Sequence, residues 1–125
     1  MRYLTLPAVC WLLVSCASPT PDWHGTPYEP AALAADFTLD DQYGRPFQLQ
    51  SHDGKATLFF FGYTHCPDVC PTTVADLSWV FHQLGERAEG LTFAFVTIDP
   101  ARDTPQVLRD YLARFNPVFL GLTGD

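Results

Sequence analysis

Two cysteines with three residues between them are the part of this chain best suited to chemistry. Cys66 and Cys70 have the spacing that places two side chains on one face of a helix, with Cβ atoms about 5–6 Å apart. A disulfide requires about 3.5–4.5 Å between the Cβ atoms. Because Pro67 and Pro71 disfavour a regular helix between the cysteines, a modest change in the loop could close a disulfide or hold both sulfurs on one metal ion.

The same cysteine pair indicates which metal ion it suits and how much a disulfide between its sulfurs would stabilise the fold. Two thiolates are soft ligands that suit Cu(I), whereas a structural zinc site takes four ligands and the chain has no second closely spaced cysteine pair. A stabilising disulfide in an exported protein is the alternative. It would close a very short loop, and cross-links across short loops contribute little stability.

The segments around the cysteines predict an α/β domain over residues 36–125. Residues 56–63 contain a continuous apolar run that ends shortly before Cys66, which predicts a strand covered on both faces. An apolar stripe with helical spacing begins near Pro71 and is closed by Gly90. The other predicted elements are an opening β-hairpin (37–39 and 47–49, turning at Gly44), a buried strand (91–98), a helix starting at Thr104 and Pro105, and a short strand (118–122). A hairpin followed by β-α-β-α-β favours parallel strands joined by right-handed crossovers.

The carboxyl end of the first buried strand is the predicted site. In open α/β sheets ligands bind at that edge, and the start of a helix depresses the pKa of a thiol. Asp99 follows the second buried strand, so it lies on the same edge if the two strands are adjacent and parallel. It is a candidate for tuning the thiols or assisting partner docking, with a capping role before Pro100 as the alternative. Arg102 and Asp103 are expected to form a local ion pair and turn.

Composition and the N-terminus restrict the partners and the location. Fourteen acidic residues against seven basic ones give a formal charge of −7, which argues against a nucleic-acid partner.

The apolar run at residues 3–14 is shorter than the roughly 20 residues of a membrane span and predicts a signal peptide over residues 1–15. LVSC at residues 13–16 resembles the bacterial lipobox, which would leave lipid on Cys16. An ordinary signal peptide with a chance cysteine is the alternative. The proline-rich residues 16–35 predict a tether that holds the domain off a membrane.

Three motifs, in this order along the chain, resemble the signatures of the Sco/SenC family. They are FFGYTHCPDVCP at residues 60–71, TIDP and RDTP within residues 97–105, and FLGLTG at residues 119–124. The resemblance runs over residues 36–125. It implies a thioredoxin-like fold that is usually tethered to a membrane outside the cytoplasm. It also implies delivery of copper, as Cu(I) or Cu(II), to the binuclear copper site of cytochrome c oxidase, or thiol–disulfide exchange that supports assembly of this oxidase. Cys66 and Cys70 are then the copper ligands and the redox pair.

One departure from the family pattern affects these implications. Sco proteins take a third copper ligand, a histidine, from a segment after the Gly-Leu-Thr-Gly motif, and no position of this sequence matches it. We therefore expect a C-terminally truncated domain that lacks the last strands and helix of the family. The strand at residues 56–63 would then have a bare apolar edge, which predicts association or poor folding.

Three functions remain open on the sequence. The first is a copper-binding assembly factor, which is not an enzyme in the strict sense. The second is a thiol–disulfide oxidoreductase, which needs only the two cysteines, and the third is an inactive fragment. The expected partners are the copper-bearing subunit of cytochrome c oxidase, other copper carriers or thiol oxidoreductases, and a membrane through the lipid anchor. The expected location is the bacterial cell envelope, with the domain outside the cytoplasm.

Overall fold

The computed structural model describes residues 24–52 and 54–124. One compact unit, Ala34–Asp125, contains every helix and strand of the described part. Residues 24–33 belong to a separate unit and contain no helix or strand. The predicted signal peptide (1–15), the lipid-bearing Cys16 and the first part of the tether lie outside the described residues. None of the described helices is long and apolar enough to cross a lipid bilayer.

Five strands form one mixed sheet in the order β2-β1-β5-β4-β3. The strands are β1 (Thr38–Asp41), β2 (Pro46–Gln48), β3 (Ala56–Gly62), β4 (Leu91–Thr97) and β5 (Leu120–Thr123). β3, β4 and β5 are parallel, and β1 pairs antiparallel with both β2 and β5. Helix α1 (Val69–Leu84) connects β3 to β4, and helix α2 (Pro105–Leu112) connects β4 to β5. The predicted hairpin followed by β-α-β-α-β is confirmed.

The side chain of Asp41 stabilises the turn of the β1–β2 hairpin, and the side chain of Gln42 links the hairpin to β5. Gly44 has a positive φ of 72°, as the turn between β1 and β2 requires. The buried carboxylate of Asp41 accepts hydrogen bonds from the backbone N–H groups of Tyr43 (2.8 Å) and Arg45 (2.9 Å) and from the Arg45 Nε (2.8 Å). The buried Gln42 side chain accepts from the N–H of Gly121 on β5 at 2.8 Å. This hydrogen bond fixes the hairpin against the parallel strands.

β3 differs from the strand that the sequence predicts. A run such as Leu58-Phe59-Phe60-Phe61 predicts burial on both faces. The bare edge expected for this strand is confirmed, because within residues 24–52 and 54–124 β4 is its one neighbour. Leu58 and Phe61 are exposed, and Phe61 is 67% accessible. The prediction of two covered faces is therefore wrong for β3. It is correct for β4, whose last five residues, 93–97, are buried.

Both helices pack on the same face of the sheet. Helix α1 starts at Val69, earlier than predicted, and ends at Leu84, where Gly85 takes a positive φ of 54°. Helix α2 starts as predicted, with Thr104 as the N-cap. The main core cluster joins residues of α1 (Val74, Phe81), β4 (Phe93, Phe95), α2 (Leu108, Tyr111, Leu112) and the segment before β5 (Phe119). The opposite face of β4 packs under the hairpin in a second cluster of Phe47, Ala94, Val96 and Leu122.

Candidate functional site: a cysteine pair at the start of α1

The two cysteines lie where β3 leads into α1, at the carboxyl edge of the parallel strands. Cys70 is the second residue of α1 and is 6% exposed, whereas Cys66 precedes the helix and is half-buried. The backbone N–H of Cys70 donates a hydrogen bond to the Sγ atom of Cys66 at 3.4 Å. Both are free thiols. The structure therefore brings the two sulfurs together with one of them accessible from solvent.

The two thiols differ in acidity. The pKa of Cys66 is lowered, first because the backbone N–H of Asp68 hydrogen-bonds to its sulfur and then because the Cys70 thiol and N–H do so as well. The pKa of Cys70 is raised, chiefly by burial, with smaller contributions from its hydrogen bond to Cys66 and from the negative charge of Asp103. Backbone donors at the start of a helix stabilise a thiolate. Cys66 is thus the more acidic of the two thiols, and Cys70 is the less acidic one.

A glycine at the end of β3 leaves room for the buried sulfur. A Cβ atom at Gly62 would lie 3.1 Å from the Sγ of Cys70 and 3.1 Å from the Cε2 of Phe95, closer than side-chain carbons normally approach. Phe95 is fully buried. The thiol of Cys70 therefore packs directly on the backbone of the strand that leads to Cys66.

A buried carboxylate holds the loop between β3 and the cysteines. Asp103 has no exposed surface, and its Oδ2 accepts hydrogen bonds from the Thr64 N–H at 2.9 Å and the Thr97 hydroxyl at 2.7 Å. Its Oδ1 accepts the Thr64 hydroxyl at 2.6 Å. The predicted ion pair between Arg102 and Asp103 is wrong, because the Arg102 guanidinium pairs with Asp99 instead. Sequence reasoning missed this role of Asp103, since no local pattern links positions 64 and 103.

Asp99 lies at the predicted edge of the sheet. β3 and β4 are adjacent and parallel, and the Ile98 N–H donates to the Gly62 carbonyl at 2.8 Å just beyond the paired strands. The Asp99 carboxylate is occupied by Arg102, and the Asp99 N–H donates to the Thr97 hydroxyl at 3.0 Å. Asp99 therefore shares the edge with the cysteines, with its charge partly neutralised.

No third side chain joins the two sulfurs as a metal ligand in the described part of the chain. No group of three or more His, Cys, Asp or Glu residues there is arranged to hold a metal ion. His65 is next to Cys66, but its Nδ1 is 3.1 Å from the Thr64 hydroxyl. His52 stacks on Phe47 at 4.3 Å between ring centroids. The ligand set that the described residues offer consists of two thiols.

Comparison with known proteins places this site in a family. The model of the family described as SCO1/SenC matches residues 25–125. The SCO2-like protein of Rickettsia felis is 42% identical over 93 residues, which are 74% of this chain and 45% of that protein. ScoI of Bradyrhizobium japonicum, solved with copper bound, has a TM-score of 0.71 and 46% identity over 75% of this chain and 60% of that chain. BsSco, described as having a disulfide switch and as a member of the Sco family of cytochrome c oxidase assembly proteins, has a TM-score of 0.62 and 27% identity over 73% of this chain and 55% of that chain.

The matches bear on the length, the fold and the family of the chain. The chain spans less than half the length of the curated relatives it matches. The thioredoxin-like α/β fold expected from the sequence is confirmed by the solved Sco structures. The family model covers most of the chain and includes both cysteines. The chain belongs to the SCO1/SenC family.

Proposed function

We propose that this chain binds copper through Cys66 and Cys70 as part of the assembly of the binuclear copper site of cytochrome c oxidase. The observation that carries the proposal is the hydrogen bond between the two cysteines at the start of α1, which the Cys70 N–H donates to the Cys66 Sγ at 3.4 Å. Copper is the cargo of this function. The relative from Bradyrhizobium japonicum, solved with copper bound, and the family described for BsSco support it.

The donor set fits Cu(I). Thiolates are soft ligands, and a metal binds a thiol after its proton has been lost. The lowered pKa of Cys66, caused first by the hydrogen bond from the Asp68 N–H, increases the fraction of its thiolate at a given pH. The raised pKa of Cys70 means that its proton is harder to remove and that the metal has to displace it. We therefore expect binding in which Cys66 is engaged first and Cys70 second, with release of protons.

Exposure of one sulfur supports transfer as well as binding. Cys66 is accessible while Cys70 lies beneath it, so a partner that supplies or accepts copper would meet Cys66 first. The expected partners are the copper-bearing subunit of the oxidase and other copper carriers. Two exposed apolar residues of this edge, Val69 next to Cys70 in the chain and Ile98 directly after β4, are available for contact with such a partner.

A competition titration with a Cu(I)-specific chelator under reducing conditions tests this function. We expect one Cu(I) per chain, with at least a 100-fold loss of affinity in Cys66→Ser and in Cys70→Ser, since each removes one of two ligands. His82→Ala is the matched control, because His82 lies in the last turn of the same helix, far along the chain from the pair. Binding that persists in both serine variants would refute the proposal.

Thiol–disulfide exchange is the second candidate, and the unequal pKa values of the two thiols favour it. The Cys66 thiolate would attack a disulfide of a partner protein, release one partner thiol and form a mixed disulfide. Cys70 would then attack the Cys66 sulfur, release the second partner thiol and close the Cys66–Cys70 disulfide. The partner gains two electrons and two protons, and this chain loses them. An exposed nucleophile with a buried resolving thiol is suited to this sequence.

The two candidates separate experimentally. Exchange predicts that Cys70→Ser accumulates a mixed disulfide with a disulfide-bonded substrate, while Cys66→Ser does not react. A Cys66–Cys70 reduction potential below about −300 mV would mark a structural bridge and would contradict exchange. Copper binding is measured in the absence of any disulfide substrate, so either function can fail alone.

We further propose that lipid on Cys16 anchors the chain in the bacterial cell envelope, with the domain outside the cytoplasm. The motif LVSC at residues 13–16 and the proline-rich tether support this. Metabolic labelling with a radioactive fatty acid in a bacterial host should label the chain. Cys16→Ser should abolish the label and release the domain from the membrane fraction, whereas a label retained in Cys16→Ser would contradict lipidation at this position.

A further inference from the structure

Asp103 is a buried charge that the proposed chemistry does not use. Its side chain is fully buried, and no Lys or Arg of the described residues forms an ion pair with it. A buried carboxylate is costly unless hydrogen bonds replace its water shell. Here three donors do so: the Thr64 N–H (2.9 Å), the Thr64 hydroxyl (2.6 Å) and the Thr97 hydroxyl (2.7 Å). The charge is thus held mainly by uncharged donors of two other segments, and the Nδ1 of His65 lies 3.7 Å from its Oδ1.

The three segments that meet at Asp103 all belong to the edge that carries the cysteines. Thr97 ends β4, Asp103 precedes α2, and Thr64 lies two residues after β3 and two residues before Cys66. The link between Thr64 and Asp103 spans 39 residues of sequence. It is therefore a tertiary contact that fixes the loop from β3 to the first cysteine against the rest of the sheet.

This loop determines where the accessible sulfur sits. The Cys66 N–H donates to the Tyr63 carbonyl at 3.2 Å, which closes a turn around Thr64. With Thr64 held by two hydrogen bonds at the base of the turn, the Sγ of Cys66 faces the N–H of Cys70. Without these bonds the turn can move as a unit, and the sulfur would lose its backbone donors.

We propose that Asp103 is a positioning residue for the cysteine pair: by holding Thr64 it orients Cys66 toward the backbone donors of α1. The proposal rests on the proposed function only in that Cys66 and Cys70 react as a pair, and it involves no metal. Backbone donors on the sulfur stabilise the reduced pair, so Asp103 makes the Cys66–Cys70 disulfide easier to reduce.

The equilibrium between this chain and a glutathione redox buffer tests the proposal. We expect Thr64→Val to shift the equilibrium toward the Cys66–Cys70 disulfide by about three- to tenfold. A hydrogen bond to a charged group corresponds to roughly a tenfold change in an equilibrium constant, and only part of that free energy differs between the reduced and the oxidised cysteine pair. Thr64→Ser keeps the hydroxyl and should restore the wild-type value within about twofold. Asp103→Asn breaks the same link but also removes the negative charge that raises the pKa of Cys70, so its shift toward the disulfide should be smaller than that of Thr64→Val. The double variant should shift it no further than the larger single variant, since both changes break one link.

Asp41→Asn is the matched control for a general loss of stability. Asp41 is also a buried carboxylate with three hydrogen bonds, but it closes the β1–β2 hairpin. Asp41→Asn should lower the stability of the fold without changing the equilibrium of the cysteine pair with glutathione. If Thr64→Val leaves the equilibrium unchanged, or if Asp41→Asn moves it equally, the positioning role is refuted. If the wild-type chain fails to bind copper while the variants shift the glutathione equilibrium as expected, the proposed copper function alone is refuted.

Discussion

Gly62→Ala is the substitution that most directly tests how the buried sulfur is packed. The new Cβ would lie 2.9 Å from the Cε1 of Phe60, 3.1 Å from the Sγ of Cys70 and 3.1 Å from the Cε2 of Phe95. The Phe60 ring is partly buried on an edge strand and can move. Phe95 is fully buried in the core and cannot, so the displacement falls on the Cys70 sulfur.

The magnitude follows from two opposing effects. Overpacking a core position costs about 1–3 kcal/mol. Replacing a glycine within a strand by alanine recovers roughly 0.5–1 kcal/mol of backbone entropy. We therefore expect Gly62→Ala to lower the free energy of unfolding by up to about 2.5 kcal/mol, since the recovered entropy offsets part of the overpacking. Displacement of the Cys70 sulfur should also weaken Cu(I) binding.

Guanidinium chloride unfolding followed by circular dichroism measures the first effect, and the Cu(I) competition titration measures the second. Gly90→Ala is the matched control, because a Cβ at Gly90 meets nothing within 4 Å and its φ is not positive. We expect Gly90→Ala to leave the free energy of unfolding unchanged or to raise it by up to about 1 kcal/mol, since alanine recovers backbone entropy there without a clash. The packing argument is refuted if Gly62→Ala is as stable as Gly90→Ala and binds Cu(I) as tightly as the wild type.

Three further predictions concern the helix start, the thiols and the sheet edge. Thr104→Ala removes the N-cap of α2 and should cost about 1 kcal/mol in guanidinium unfolding, whereas a loss too small to measure would mean that the cap is not formed. Iodoacetamide near neutral pH should alkylate Cys66 well before Cys70, because the lowered pKa of Cys66 leaves more thiolate. The difference between the two alkylation rates should shrink as the pH rises through the usual thiol range. Mass spectrometry of the peptides measures both sites, and equal rates near neutral pH would contradict the assignment. A lysine on an exposed edge strand blocks strand pairing between molecules, so Phe61→Lys should weaken self-association in sedimentation velocity. Val118→Lys, at an equally exposed position outside the edge strand, should not weaken it. Equal effects of the two substitutions would exclude the β3 edge as the contact between molecules.

Local patterns were sufficient to predict most of the elements. The start of α2 depends on Thr104 and Pro105, which act on the residues directly after them, and the structure has both where the sequence places them. The turn at Gly44 is local in the same sense. The spacing of Cys66 and Cys70 places two side chains near one another in any turn or helix, so their contact could be anticipated as well.

Features that depend on the whole sheet could not be predicted in this way. The apolar run in β3 reports the character of its side chains, but the exposure of Leu58 and Phe61 depends on which elements cover the faces of the sheet. The burial of Asp103 depends on Thr64, which is 39 residues away, and the need for glycine at position 62 depends on the Sγ of Cys70. Each of these features requires the tertiary structure, because no residue next to them in sequence determines their surroundings.

X-ray absorption at the copper edge, recorded on the full chain loaded with one equivalent of Cu(I), tests the proposed copper site most directly. Binding by both thiolates predicts two sulfur atoms bound to each copper in the wild type, with at most one in Cys66→Ser and in Cys70→Ser. A copper environment made of nitrogen and oxygen alone, or one that either serine variant leaves unchanged, would contradict the proposed site.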